Sequence, residues 1–328
     1  MMKQMTYIEA ITKAMDEALA MDDNVFIIGE DVGVKGGVFK ATAGLFGKYG
    51  ELRVIDAPLA ESAITGVAIG AAMYGKRPIA EIQFADFIMP AVNQIVSEAA
   101  KIRYRSNNDW SCPLVVRAPF GGGVHGALYH SQSVESMFAG IPGLKIVIPS
   151  TPYDAKGLLA AAILDPDPVL YFEHKKAYRL IKGEVPEEHY TIPIGKADIK
   201  REGSDITVIT YGLMVHYTLQ VMDRLKDDGI SVHLVDLRTI YPLDKETIIE
   251  AARKTGKVLL ITEDNKEGSV IGEVAAIIAE HSLFDLDAPI MRLAAPDVPA
   301  MPYAPTMEKQ FMVNPEKIEQ AIRDLAAY

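Results

Sequence analysis

The sequence contains a single cysteine, Cys112, among its 328 residues. No internal disulfide can therefore form, which agrees with a reducing compartment. No apolar stretch reaches the roughly 18 uninterrupted residues that a membrane-spanning helix needs. The first residues also lack the apolar segment typical of a signal peptide. We therefore expect a cytoplasmic protein that does not enter a membrane.

Basic residues are the minority, with 33 lysines and arginines against 44 acidic residues and a net charge of −11. Nucleic-acid binding requires clustered basic side chains, so the balance argues against that function. A chain of this charge is compatible with a basic protein partner. The sequence also has no phosphate-binding loop of the nucleotide triphosphatase type and no histidine and cysteine cluster typical of zinc sites.

Three glycines in one segment, Gly66, Gly70 and Gly75, do not have the dinucleotide-binding spacing. They fall inside a predicted helix rather than at a strand-to-helix turn. Small residues at these positions favour close approach of a second helix, and we expect that helix to belong to another subunit.

Strand-like and helix-like segments alternate twice along the chain, which predicts an α/β protein with two doubly wound domains. The first block has predicted strands at 25–29, 53–56, 78–84, 113–119, 144–149 and 169–173. Its predicted helices cover 6–21, the segment after Glu61, 85–105 and 154–164, and its glycine-rich loops cover 33–50 and 121–130.

Residues 175–203 interrupt this alternation with glycine, proline and many charges, as a linker does. We assign 1–185 to the first domain, 186–203 to the linker and 204–328 to the second domain. The second domain has predicted strands at 206–209, 231–235, 257–262 and 289–293 and predicted helices at 215–225, 245–252, 270–281 and 315–327.

Glu61 comes shortly after a predicted strand and a proline. It lies at the start of a predicted helix that is rich in glycine and alanine. A lone carboxylate at such a junction is placed to meet a ligand. The same position also suits a residue that only caps its helix, because the positive end of the helix dipole attracts an acid. Spacing alone favours the cap.

Two histidines, His125 and His130, lie on the glycine-rich loop that follows a predicted strand. Catalytic groups favour such strand-end loops, and histidine exchanges protons near neutral pH. A merely flexible loop explains the glycines equally well, so the residues themselves leave both interpretations open.

Seven short motifs occur in a fixed order along the chain. They read GEDVG at 29–33, PLAE at 58–61, EIQFADF at 81–87, RYRS at 103–106, GALYHSQ at 126–132, PSTPYDAKG at 149–157 and VDLRT at 235–239. Together they resemble the beta subunits of the thiamine-diphosphate-dependent decarboxylating component of 2-oxo acid dehydrogenase complexes, over essentially the whole chain. Around residues 83–87 and His130 the sequence is most similar to the enzymes that act on branched-chain 2-oxo acids. The pyruvate and acetoin enzymes are close relatives.

The resemblance implies a transketolase-like pyrimidine-binding domain followed by a smaller transketolase C-terminal-like domain. Glu61 matches the family glutamate beside the pyrimidine ring nitrogen, which promotes loss of the thiazolium proton. Burial would raise the pKa of this carboxyl and the helix N-terminus would lower it, and the sequence leaves the balance open. Leu59, Gln83 and Phe87 match residues that line the pyrimidine pocket. Phe87 stands where we expect tyrosine in animal branched-chain enzymes, so it keeps the aromatic wall and loses a hydroxyl.

His130 matches the active-site histidine of the family. The resemblance leaves two roles open for it: proton transfer or polarisation around the 2-oxo acid, and a part in acyl transfer to the lipoyl group. His125 has the weaker claim and is treated as a loop residue.

The motif Gly-Asp-Gly, which in the family helps to hold magnesium and the diphosphate, is absent from this sequence. A diphosphate normally needs a divalent ion and a glycine-rich backbone nest. The chain is therefore expected to form half of an active site. The resemblance implies an alpha subunit that supplies the diphosphate and magnesium site, in an assembly of two alpha and two beta chains.

Further partners follow from the resemblance. The second domain is expected to pack against the twin beta chain and to dock a basic domain of the lipoyl acyltransferase core. Glu319, Asp324 and the carboxylate of Tyr328 are candidates for that docking, although a solvated helix face explains the two acids equally well.

The family often holds a structural monovalent cation, K⁺, through backbone carbonyls. The matching positions here are Val115, Ala162, Ile163, Asp165 and Asp167. Free carbonyls at a helix end suit such a cation. A helix stopped by prolines, with two solvated acids, is an equally good interpretation of the same segment.

The expected function is that of an enzyme subunit. With its alpha partner the chain would oxidatively decarboxylate a branched-chain 2-oxo acid and transfer the acyl group to lipoamide. The same chemistry on pyruvate or in acetoin cleavage is the alternative within this class. A non-catalytic assembly subunit is the alternative outside it, but docking requires neither Glu61 nor His130.

Overall fold

The computed structural model describes residues 1–328. Their contacts group the chain into two compact units. Unit 1 comprises Met1–Phe120 and Met137–Ile194, and unit 2 comprises Gly121–Ser136 and Gly195–Tyr328. The glycine-rich loop thus groups with the second unit, although the sequence places it within the first predicted domain. The predicted α/β class with parallel sheets is confirmed in both units.

Unit 1 is built on a parallel sheet in which the strands follow the order β6-β7-β5-β4-β2-β3. Each neighbouring pair along that order is parallel. A separate antiparallel pair joins β1 to β8, with Met2 opposite Pro186. The strands are β1 (Met2–Thr6), β2 (Val25–Gly29), β3 (Val54–Asp56), β4 (Arg77–Glu81), β5 (Val115–Phe120), β6 (Lys145–Val147), β7 (Val169–His174) and β8 (Lys182–Pro186).

The first seven helices are α1 (Tyr7–Met21), α2 (Leu45–Tyr49), α3 (Glu61–Met73), α4 (Ile102–Arg105), α5 (Glu135–Ala139), α6 (Pro152–Leu164) and α7 (Ala177–Leu180). Thr6 and Glu9 form a capping box at the start of α1, which satisfies two of its free N–H groups. The face of α1 that carries Ile11, Met15 and Leu19 is buried in the unit 1 core.

The continuous helix predicted over 85–105 is wrong. The chain there forms a 3₁₀ segment (Ala85–Ala91), a π turn (Gln94–Glu98), a second 3₁₀ segment (Ala99–Lys101) and only then α4. Pro90 lies inside the first segment, and a proline removes a backbone donor and collides with the preceding turn of an α-helix.

Unit 2 has a second sheet in the order β14-β13-β10-β11-β9, parallel except for the antiparallel edge strand β9. The strands of this unit are β9 (Asp198–Arg201), β10 (Ile206–Thr210), β11 (Val232–Asp236), β12 (Thr239–Tyr241), β13 (Val258–Asn265) and β14 (Met291–Ala295), and β12 is not part of the five-stranded sheet. Its helices are α8 (Leu213–Asp227), α9 (Lys245–Thr255), α10 (Val270–Ser282), α11 (Pro305–Phe311) and α12 (Pro315–Ala326).

Short 3₁₀ turns cover Ala127–Tyr129 and Leu283–Asp285. Strand β9 lies within the predicted linker 186–203, and β9, β12 and α11 have no counterpart among the predicted elements. None of the helices over residues 1–328 combines the length and apolar content that crossing a bilayer requires.

Candidate functional site

The segments that leave the carboxyl edge of the unit 1 sheet carry all four predicted cofactor-binding residues. Gly29, the last residue of β2, is aligned with Asp56 on β3 and with Glu81 on β4. The three strands therefore end level with one another, and the segments that follow them leave the sheet at one edge. Open α/β sheets bind their ligands at this edge. The segments that follow β3 and β4 carry Leu59, Glu61, Gln83 and Phe87.

Glu61 is the first residue of α3, and the N-cap position before it is held by Ala60. No side chain forms a cap hydrogen bond there, so Glu61 does not act as the cap itself. Its half-buried carboxylate lies in the first turn, where the helix dipole favours negative charge. A carboxylate at this position remains available to a ligand at the sheet edge.

A second carboxylate, which sequence reasoning missed, belongs to the same edge. Glu30 follows β2 directly and is half-buried. Burial raises its pKa, and the negative charges of Glu61 and Asp31 raise it further. Glu30 and Glu61 are thus close enough to repel each other. The signal in the sequence was available, because Glu30 directly follows a buried strand, and Glu61 likewise comes shortly after the end of β3.

The residues expected around a pyrimidine ring have different exposures. The side chain of Leu59 is 78% exposed, and Gln83 and Phe87 are half-buried. Phe87 packs edge-to-face on Phe84 with ring centroids 5.7 Å apart, and Phe84 does the same with Phe39 at 5.2 Å. An aliphatic side chain, an amide, an aromatic wall and a carboxylate form a set that suits a flat heteroaromatic ring with basic nitrogens.

The same edge does not suit a diphosphate. It carries Glu30, Asp31, Asp56 and Glu61, so a phosphate group would meet like charge. The carboxylate of Asp31 pairs with Lys35 at 3.1 Å, and Asp56 accepts a 2.6 Å hydrogen bond from the backbone of the loop that follows β2. The residues of this edge therefore fit the pyrimidine half of thiamine diphosphate and not its charged tail.

A buried ion-pair cluster lies beneath this edge. Arg117 on β5 donates from Nε and Nη2 to the carboxylate of Glu173, at 2.6 and 2.8 Å, and from Nη1 to Glu81 at 2.7 Å. Arg117 and Glu173 are fully buried, and Tyr178 donates its hydroxyl to Glu173 at 2.6 Å. Burial raises the pKa of Glu81, and the positive charge of Arg117 opposes that rise. The cluster joins β4, β5 and β7 just below Gln83.

Sequence reasoning missed this cluster, although it left a signal. Arg117 is a lone charge in the otherwise apolar run of residues 114–118. A charge inside a buried parallel strand has to be paired. The position of Arg117 in this run therefore predicts acidic partners from neighbouring elements.

In unit 2, one carboxylate holds the segment of residues 121–125, which we call the glycine turn. Oε1 of Glu308 accepts hydrogen bonds from the backbone N–H of Gly123 and of His125, at 3.2 and 3.3 Å. Oε2 of the same side chain lies 2.5 Å from Nδ1 of His125. The side chain of Glu308 is only 4% exposed, whereas the ring of His125 is 61% exposed. His125 is thus tied to α11 and does not stand free in a flexible loop.

A second carboxylate holds the start of the glycine turn. Glu263 on β13 accepts a 2.5 Å hydrogen bond from the N–H of Gly122. A Cβ atom at Gly122 would come within 2.4 Å of the end of the Met301 side chain, so a larger residue there would require that side chain to move. The loop closes where Gly121 donates to the carbonyl of Gln132 at 3.0 Å.

His130 follows the glycine turn after the short 3₁₀ turn Ala127–Tyr129 and is half-buried. A Cβ atom on Gly126, which directly follows the glycine turn, would approach the Cβ of His130 to 2.7 Å, so the backbone of Gly126 lies close against His130. His130 belongs to unit 2 and the residues around Glu61 belong to unit 1.

A buried carboxyl group that sequence reasoning missed also lies in unit 2. Glu135 is fully buried, and Oε1 accepts a 2.8 Å hydrogen bond from the hydroxyl of Tyr211. Its other oxygen has no hydrogen-bond partner. Burial, and then the charge of Asp264, raises the pKa of Glu135 to about 8. This carboxyl is therefore protonated at neutral pH, as a buried carboxyl without a cationic partner should be.

Two of the predicted cation ligands are already paired through their carboxylates. Asp165 binds Nζ of Lys145 with both oxygens, at 2.6 and 2.7 Å. Asp167 accepts a 2.5 Å hydrogen bond from Nε of Arg103 and lies 3.6 Å from Lys145. The two acids are therefore not merely solvated, and a monovalent cation would have to rely on carbonyl oxygens.

Those carbonyls lie at the end of α6 and the start of β5. The carbonyl of Ala162 accepts from the N–H of Asp165 at 3.3 Å, and the carbonyl of Ile163 accepts from Arg77 at 2.9 Å. Val115 is the first residue of β5. Each carbonyl oxygen has a second lone pair, so these bonds leave room for a cation. The cation site at these five positions stays a prediction.

Comparison with known families accounts for both units. The sequence profile described as "Transketolase, pyrimidine binding domain" matches residues 3–181, and the profile "Transketolase, C-terminal domain" matches residues 195–318. Among solved structures, a "Split gene transketolase, inactive beta4 tetramer" superposes with a TM-score of 0.80 and covers 98% of both chains. At 20% identity that similarity concerns the fold alone.

Curated relatives are much closer in sequence. The chain is 76% identical over 327 residues, with 100% of both chains covered, to "2-oxoisovalerate dehydrogenase subunit beta" of Bacillus subtilis (strain 168). It is 52% identical over 296 residues to "Pyruvate dehydrogenase E1 component subunit beta" of the same organism, covering 90% of this chain and 91% of that one. The protein with the same description from Acholeplasma laidlawii is 47% identical over 321 residues, with 98% of both chains covered.

Proposed function

The chain belongs to the family of 2-oxo acid dehydrogenase beta subunits built from transketolase pyrimidine-binding and C-terminal domains, and from this membership we propose its reaction. Together with an alpha subunit, it oxidatively decarboxylates branched-chain 2-oxo acids and transfers the acyl group to lipoamide. The observation that carries the proposal is the 76% identity, without a gap in coverage, to the 2-oxoisovalerate dehydrogenase beta subunit.

The substrate class rests on the difference between relatives. Identity to the pyruvate dehydrogenase beta subunits is 52% and 47%, well below that to the branched-chain subunit. The test is a substrate panel on the enzyme reconstituted with its alpha subunit. We expect a higher kcat/KM for 2-oxoisovalerate than for pyruvate or acetoin. A preference for pyruvate would move the chain to the pyruvate branch, and a preference for acetoin would move it to the acetoin branch.

We propose that the carboxyl edge of the unit 1 sheet receives the pyrimidine half of thiamine diphosphate. When bound, this cofactor supplies the nucleophilic carbon that attacks the 2-oxo group. Glu61 would hold a proton and exchange it with a ring nitrogen of the pyrimidine. Gln83 would offer its amide to the ring, and Leu59 and Phe87 would supply apolar contacts to it.

The diphosphate and its magnesium ion are assigned to the alpha subunit. The acidic character of the edge around Glu30, Asp31 and Asp56 supports this, because these residues repel phosphate. Activity of the isolated chain with thiamine diphosphate and magnesium would contradict the assignment. We expect no turnover until the alpha subunit is added.

We propose that His130 acts on the reacting groups, by moving a proton at the 2-oxo acid or during transfer of the acyl group to lipoamide. The two roles are separated by measuring decarboxylation with an artificial electron acceptor and acyl transfer to lipoamide in the same His130→Ala variant. Loss of both assigns His130 to the first step. Loss of acyl transfer alone assigns it to the second step.

The decisive variant is Glu61→Ala, assayed after reconstitution with the alpha subunit. We expect oxidative decarboxylation to be lost while thermal stability and assembly persist. Glu51→Ala, an exposed glutamate outside the edge, is the matched control. Near-normal turnover in Glu61→Ala would exclude its assigned role, and would favour the non-catalytic assembly subunit if Glu30→Ala and His130→Ala also remained active.

We further propose an assembly of two alpha and two beta chains, with docking to a lipoyl acyltransferase core. The beta designation of the curated relatives supports an alpha partner. We propose that the two domains span 1–185 and 204–328. We also propose that a K⁺ ion binds at the backbone carbonyls near Ile163. The mass of the co-expressed complex, and its change on adding the core, test the assembly. A cytoplasmic location fits a chain whose one cysteine is a buried free thiol.

A further inference from the structure

The glycine turn has a backbone conformation that needs external support. Within it, Gly123 has a φ of 77° and His125 a φ of 57°, and Ala127, two residues after the turn, has a φ of 53°. The left-handed region is unfavourable for residues with a Cβ, so such a run persists only where its surroundings hold it in place. Side chains elsewhere in the chain are therefore expected to hold this conformation.

Glu308 supplies that support at the centre of the turn. Its carboxylate is nearly inaccessible to solvent, yet it accepts from two backbone N–H groups and pairs with the ring of His125. A buried carboxylate with these three partners fixes the positions of both peptide groups, because its oxygens have few alternative donors. Glu263 does the same for the preceding N–H, of Gly122.

The fixed turn transmits its position to His130. The backbone at Gly126 leaves no space for a Cβ atom beside the Cβ and carbonyl of His130, at 2.7 Å each. Gly126 directly follows the glycine turn and lies close against His130, so a shift of the turn is expected to displace His130. A misplacement of about 1 Å at a reacting group can cost about 10²-fold in rate.

We propose that Glu308 is a positioning residue for His130, acting through the glycine turn. The inference rests on the proposed function, because it assigns Glu308 to the reaction in which His130 takes part. Glu308 itself comes from α11, 178 residues after His130 in the chain, and carries no assigned role.

The experiment uses the enzyme co-expressed with its alpha subunit. Glu308→Gln keeps the shape of the side chain and one acceptor oxygen but removes the charge, and Glu308→Ala removes all three bonds. We expect kcat to fall about tenfold in the first variant and about 10²-fold in the second, with KM for the 2-oxo acid nearly unchanged. Glu316→Ala, an exposed glutamate on α12, is the control and should retain wild-type kcat.

A double-mutant cycle separates positioning from a merely structural role. If Glu308 acts through His130, then Glu308→Gln should lower kcat in the wild-type background and have no further effect in His130→Ala. Additive losses in the two backgrounds, or an unchanged kcat in Glu308→Gln, would overturn the proposal. If Glu308→Ala fails to fold, Glu308→Gln still tests the proposal, because it keeps the shape of the side chain.

The two proposals fail in different ways. Wild-type activity of His130→Ala would show that His130 does not have its proposed role. Glu308 could then not act on the reaction by positioning His130. An impaired His130→Ala together with a fully active Glu308→Gln would remove only the positioning role. Thermal unfolding of each variant shows that the measured losses come from folded enzyme.

Discussion

Replacing Arg117 by methionine removes the one cation shared by Glu81 and Glu173 while filling a similar volume. The change breaks three charge-assisted hydrogen bonds of 2.6 to 2.8 Å. A hydrogen bond to a charged group contributes about 1.5–3 kcal/mol, so a simple sum reaches about 5–9 kcal/mol. The two stranded carboxyls can escape part of that cost by taking up protons. Removing one partner from a buried ion pair typically costs about 3–5 kcal/mol, and that is the loss we expect.

The assay is urea unfolding of the purified chain at one fixed protein concentration, followed by circular dichroism. A loss of about 3–5 kcal/mol is a large part of the roughly 5–15 kcal/mol that holds a typical protein together. The matched control is Arg105→Met, since Arg105 pairs with Glu98 at 3.0 Å and both side chains are about half exposed. Exposed pairs contribute about 0–1 kcal/mol.

Two results would decide the question. If Arg117→Met and Arg105→Met lose the same stability, to within about 1 kcal/mol, burial does not govern the energetics of this cluster. If the buried geometry is as described, a triple variant that also carries Glu81→Gln and Glu173→Gln should recover much of the loss, because it strands no charge.

Three further predictions follow from buried or strained positions. Because burial raises the pKa of Glu135 from 4.5 to about 8, the folded chain keeps a proton that the unfolded chain loses. Stability should therefore fall as pH rises from about 4.5 to 8, by up to about 1.4 kcal/mol per unit, and thermal melts of Glu135→Gln should lack this slope. The thiol of Cys112 is buried and burial raises its pKa to about 12, so a thiol reagent should label it only after denaturation. Gly143→Ala should lose more than about 2 kcal/mol, because φ is 96° and the new Cβ would lie 1.9 Å from a carbonyl oxygen, whereas Gly140→Ala, with nothing within 4 Å, should lose less than about 0.5.

Local sequence patterns predicted the elements that are buried and continuous. The apolar run at 25–29 forms β2 over those same residues, since a parallel strand covered on both faces needs no alternation. The helix predicted at 6–21 begins one residue later because Thr6 serves as its cap. The predicted helix at 85–105 shows the limit of periodicity, which continued through Pro90 although the backbone could not.

Elements that depend on distant partners could not be predicted in this way. Strand β1 pairs with β8, about 180 residues further along the chain, and its first residues are exposed. Nothing in the local pattern of Met2–Thr6 marks such a pairing, because an edge strand is defined by its neighbour.

The candidate site also contains residues that local sequence could locate and residues whose contacts depend on distant parts of the chain. Glu61 could be located from the sequence because a strand end, a proline and a helix start lie within a few residues of it. Glu308 could not, because its role depends on α11 meeting a loop far earlier in the chain. The roles of Glu61 and His130 themselves remain predictions that the proposed variants test.

The N-cap position of helix α3 is occupied by Ala60, which offers no capping side chain where serine, threonine, aspartate and asparagine are strongly preferred. The missing cap forgoes about 1 kcal/mol of helix stability. A protein engineer who seeks thermostability would choose Ala60→Asp first, yet that change would place another carboxylate beside Glu61. If Glu61 carries its proposed role, heat resistance and turnover compete at this helix start, and stabilising mutations are better sought away from the sheet edge.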